Sequence, residues 1–138
     1  MKKLLAMLLT LMMVVSIPVT CFAASDSVKK SNTEFGTMTG SISSSMSAGR
    51  KEVNYSTKTT KTASRLIVFI DVNIYSTGKK IIDGKKDGEI QDLPNKKEVG
   101  YYWECHTPSY NKQKLSSFGT HEARGKTSLV GYTGIKNF

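Results

Sequence analysis

Residues 65 to 76 read RLIVFIDVNIYS, and five apolar side chains occupy alternate positions: Leu66, Val68, Ile70, Val72 and Ile74. A helix would scatter those five around its circumference, whereas an extended chain puts them all on one face. Asp71 and Asn73 lie on the opposite face, which turns polar toward its end. Fully burying five such side chains stabilises by about 10 kcal/mol. A segment like this is the central strand of a sheet.

The same period of two recurs along the chain. GTMTGSISSSMS (36–47) sets Met38, Ile42 and Met46 on one side, with Ser and Thr opposite. After Ala48-Gly49-Arg50, the stretch EVNYSTKTT alternates Val53, Tyr55, Thr57 and Thr59 against polar neighbours. Thr77-Gly78 reads as a turn, Lys80 to Asp83 as a short return strand, and GKKDGEIQDLPNKK as a charged loop. VGYYWECH (99–106) alternates again, and LSSFGTHEAR and TSLVGYTGI follow the loop TPSYNKQK. No helical period competes with these. The expected class is all-β, a small antiparallel sandwich or barrel of about seven strands. Residues 36–138 form the single β-sandwich-like domain, and 24–35 read as a flexible lead-in.

The first 23 residues read as a cleavable signal peptide. Lys2 and Lys3 precede an uncharged, mainly apolar run from Leu4 to Val15, then Pro18 and the small-x-small triplet Cys21-Phe22-Ala23. Ser16, Pro18 and Thr20 interrupt the run before the roughly 20 apolar residues a membrane anchor requires. The lysine-led start resembles the export signals of Gram-positive bacteria. The expected location is therefore extracellular, either released or associated with the cell wall, with no transmembrane helix in the mature chain.

Cleavage after Ala23 leaves 115 residues and only one cysteine, Cys105, so no internal disulfide can form. Loss of Lys2 and Lys3 takes the 20 basic residues to 18 against 11 acidic ones, a net charge of +7. A surplus of that size favours polyanions. Export separates the chain from nucleic acid. The expected partners are an anionic envelope polymer, an anionic membrane surface or a polysaccharide.

Cys105 and His106 adjoin, but in a strand they point to opposite faces. Cys105 shares its side with Val99, Tyr101 and Trp103, an apolar set that makes it a core residue. A nucleophilic role needs a base, and His121 is the candidate, given a strand that brings it beside residue 105. His106, Glu104 and His121 match no metal-ligand spacing. DGKKDGEIQD (83–92) has Lys85 and Pro94 where a calcium loop requires ligands, so it reads as a surface hairpin loop. No cofactor is implied.

The candidate binding residues are aromatics and cations of the C-terminal half. Tyr102 and Tyr110 offer rings for stacking, and Lys112, Lys114, Arg124 and Lys126 offer positive charge. The preferred expectation is a secreted, cationic, non-enzymatic β domain that associates with the envelope or another extracellular polyanion. A secreted antagonist, bacteriocin-like or toxin-like, is the alternative, and a small hydrolase using Cys105 and His121 comes third.

Overall fold

The computed structural model describes residues 24–81 and 90–138, with Ile90 and Gln91 described by backbone alone. The signal segment and most of the calcium-like loop lie outside the described residues. Those described form six antiparallel strands: β1 (Ser25–Asn32), β2 (Gly36–Ser47), β3 (Arg50–Ile74), β4 (Ile90–Glu104), β5 (Leu115–Arg124) and β6 (Ser128–Lys136). One helical turn, α1 (Pro108–Asn111), interrupts them. Among the described residues no helix is long and apolar enough to cross a membrane.

The long strand β3 organises the sheet. Its first half lies between β2 and β4, and its second half lies between β4 and β5. Between Lys58 and Ala63 the register with β4 shifts, and the ribbon bends there. This corrects the reading of residues 52–60 and 65–76 as two strands. The joint KTTKTAS contains neither Gly nor Pro, and its threonines favour extended backbone. Ala63, fully buried at the bend, leaves room for the turn.

The path β1-β2-β3-β5-β6 curls into a nearly closed barrel. Side chains rather than a backbone ladder draw its outer strands together. Asp26 Oδ2 of β1 accepts the Gly134 N–H of β6 at 2.8 Å, and Asn32 Nδ2 donates to Thr127 Oγ1 at 3.0 Å. Val28 packs over Gly131, where an added Cβ would stand 2.6 Å from its methyl. That close approach needs a glycine in β6.

Two expectations are corrected here. Residues 25–32, read as part of a flexible lead-in, pair along their whole length with β2. Val28 is their one apolar member, so the alternation that marks a strand is nearly silent. Residues 90–97, read as loop, belong to β4. Pro94 and Asn95 suggested a turn, yet among the described residues β4 pairs only with β3. A proline is tolerated on such an edge, where no N–H is needed. Asn95 takes φ = 51° beside the register shift. The return strand expected over 80–83 is reduced, in its described part, to one bridge between Asn73 and Lys80.

Met38, Ile42, Val53, Tyr55, Leu66, Val68, Ile70, Val72, Val99 and Trp103 fill the interior. Ala48 and Gly49, at φ = 48° and 77°, make the two-residue turn joining β2 to β3.

Candidate functional site

His121 lies in the middle of the barrel, fully buried. It stands on β5 opposite Val68 of β3 and Gly131 of β6. Nδ1 lies 2.9 Å from Thr57 Oγ1, and Nε2 lies 2.8 Å from Thr133 Oγ1. Thr57 donates its own hydroxyl proton to the Ile67 carbonyl at 3.3 Å. It therefore accepts from Nδ1–H, and in the uncharged ring Nε2 accepts from Thr133. Burial pushes the imidazole down to about 4, against upward pulls from the Ser56 backbone and Asp26. Thr57 and Thr133 thus hold the ring as a satisfied polar centre of the core.

Cys105 is also fully buried, just beyond β4, with its thiol 3.5 Å from the Thr107 carbonyl and its N–H donating to Lys51. Both ring nitrogens of His121 are engaged by threonines rather than by this sulfur. His106 is exposed, with Nε2 4.0 Å from Glu104. The two histidines therefore occupy different environments, one in the interior and one at the surface.

The six candidate binding residues divide between the two ends of the barrel and one wall. Tyr110, Lys112 and Lys114 lie at one end, in α1 and the segment leading to β5. Tyr110 is half-buried against the core, whereas Lys112 and Lys114 are exposed. The same end is fastened by Lys51, whose buried Nζ donates to the backbone oxygens of Gln113 and Phe138. Burial lowers its pKa. Tyr102 stands on the outer wall, half-exposed. Arg124 and Lys126 lie at the opposite end, the length of β5 away, about 30 Å at strand spacing.

Around Arg124 and Lys126 the fold gathers further cations that are remote in sequence. Arg65 pairs across the strands with Arg124, and Lys96 lies beside Ala63. Lys61 donates to the Thr33 carbonyl at 2.8 Å. Glu34 reaches across this end and accepts from the Lys126 and Thr127 N–H groups, each at 2.8 Å. Those bonds hold its pKa below the ordinary carboxylate value, the Thr127 hydroxyl bond contributing most. Arg65 is ion-paired with Asp92, and Arg124 with Glu122. Lys61, Lys96, Lys97 and Lys126 add four positive charges near this rim, against the Glu34 carboxylate that interacts with Lys126. No family model, curated protein or solved structure matches the chain.

Sequence reasoning missed Lys61, Lys96 and Lys97. Lys61 sits inside a strand-like stretch, and Lys96-Lys97 lies in a segment that read as loop. The bend in β3 brings them to one end, and no short motif encodes that bend.

Proposed function

We propose that the protein is a secreted, non-enzymatic β-barrel domain that attaches to an anionic polymer or anionic surface of the cell envelope through its basic rim. The observation carrying this reading is the convergence of Lys61, Lys96, Lys97 and Lys126 from three separate segments onto one end. Each cation near an anionic surface contributes about 1 kcal/mol, so four together give useful and salt-sensitive attachment. The export signal supplies the setting, and the net charge of +7 supplies the long-range attraction.

Binding to isolated envelopes, and to vesicles containing phosphatidylglycerol, tests the reading. The triple variant Lys61→Glu, Lys96→Glu, Lys126→Glu is expected to bind at least about tenfold more weakly. The double variant Lys112→Glu, Lys114→Glu, at the other end, is expected to change binding far less. Equal binding by the triple variant and the parent protein contradicts the proposal.

A second reading, a secreted antagonist acting at a competitor's membrane, draws on the outer wall formed by β5 and β6. There Phe118 and Tyr132 are 40% and 72% exposed, and amphipathic aromatic rings suit a membrane interface. Dye leakage from target-like vesicles supports that reading; intact vesicles carrying bound protein support the first.

A further inference from the structure

We propose that a groove on the outer wall of β2, β3 and β4 is a second binding site, which takes an uncharged pyranose ring of a glycan chain. The site is separate from the basic rim and stands without it. Three cross-strand neighbours, Ser41, Ser56 and Gly100, form its floor, and the next row places Ser43, Asn54 and Tyr102 along one side. The volume is about 460 Å³, within the range of small-ligand clefts.

Gly100 leaves the groove open. A glycine inside a strand weakens it and often marks a close approach by a ligand. Among the described residues, an added Cβ there would meet only the Tyr55 carbonyl, at 3.4 Å. By contrast, Gly131 is required by its packing neighbour, Val28.

Tyr102 provides the flat surface, standing two residues beyond Gly100 and thus about 7 Å along the strand. The residue is 48% exposed. Partial desolvation, together with the hydrogen bond its hydroxyl makes to Glu52, pushes the phenol up to about 12. The hydroxyl is thus anchored, and the face of the ring stays available. The C–H bonds on one face of a pyranose pack against such a ring, while the sugar's hydroxyls seek partners at its edge. Those partners are the Ser41 and Ser43 hydroxyls and the Asn54 amide. At the floor, the Ser56 hydroxyl is shielded from water and has no hydrogen-bond partner. A polar group left unmet in the protein alone calls for an explanation; a sugar hydroxyl would meet it once the side chains that cover it move aside.

Charge decides against a polyanion here. Lys58 is held by Glu98 at 2.8 Å, and Arg50 by Glu104 at 2.8 Å. Glu52, hydrogen-bonded to the Tyr102 hydroxyl, adds a third carboxylate. The wall is therefore weakly acidic, unlike the rim. An uncharged, hydroxyl-rich chain fits it.

The test is an amide NMR titration of the mature protein with soluble hexamers of β-1,4-linked N-acetylglucosamine and of β-1,4-linked glucose, into the millimolar range. At least one hexamer is expected to shift Ser41, Asn54, Gly100 and Tyr102. Tyr102→Ala and Gly100→Val should each weaken that binding about tenfold or more, and Tyr102→Phe should retain it. Where Gly100→Val unfolds, Ser41→Arg fills the groove from the neighbouring strand and should abolish binding. No shift with either hexamer overturns the proposal. So do shifts confined to the rim, and so does undiminished affinity in Tyr102→Ala.

Discussion

The imidazole of His121 occupies space that Gly40 leaves in the wall of β2, where an added Cβ would stand 2.3 Å from Cγ. Gly40→Ala is therefore expected to destabilise by about 2 kcal/mol or more through overpacking. Gly100→Ala, where the nearest contact is 3.4 Å, is expected to be neutral or to stabilise by up to about 1 kcal/mol. Urea unfolding of the two variants checks the contrast. The same histidine gives the protein an acid sensitivity. Its folded value of about 4 lies below the unfolded value of about 6.5. Between those pH values the unfolded chain binds the extra proton, so stability falls as pH drops through the window. The loss amounts to about 3 kcal/mol by pH 4, measured as unfolding free energy at several pH values. A flat profile would remove His121 as the neutral centre of the core. Cys105 is expected to resist iodoacetamide in the native protein and to label promptly in denaturant. Its burial was legible from alternation alone. Why Gly40 and Ser44 break the Met38–Ile42 stripe was not. Gly40 makes room for a ring 81 residues later in the chain, and Ser44 accepts the Ala24 N–H at 3.1 Å. Both reasons are long-range.

At the scale of elements, strands with one apolar face announced themselves: β2, both parts of β3, the second half of β4, β5 and β6. β1 and the first half of β4 did not. Edge strands gain little from burial, and charge, proline and bulges protect them from pairing with other chains. Lys29, Lys30, Pro94, Lys96 and Lys97 serve this purpose and thereby hide the strands from a period-two reading. The union of two expected strands into β3 escaped for a related reason, since the bend is made by a register shift rather than by a turn residue. Closure between the β1–β2 turn and the β5–β6 turn depends on Glu34 and its bonds to residues 126 and 127. Glu34→Ala is expected to speed amide exchange at Lys126 and Thr127 and to lower the melting temperature, leaving amides in the middle of β3 protected. Because its pKa is held low, this closure persists above the unfolded carboxylate range. It weakens only as acid protonates Glu34. Unchanged exchange at both amides would show that the seam closes without it.

For the whole molecule, composition specified the sign and size of the charge, while the fold determined where it gathers. Arg124 and Lys126 were visible as candidates, but the structure separates them from Lys112 and Lys114 and supplies new neighbours from β3 and β4. The barrel thus presents two different surfaces, a cationic end and a weakly acidic, hydroxyl-lined wall. Of these, the cationic end carries the functional account. The most direct measurement is the affinity for phosphatidylglycerol vesicles as a function of salt, for the parent protein and for Lys61→Ala, Lys126→Ala. The parent should lose affinity steeply as salt rises, and the variant should show a shallower dependence. An affinity indifferent to salt, or an equal slope in both proteins, would contradict the assignment of envelope attachment to this end.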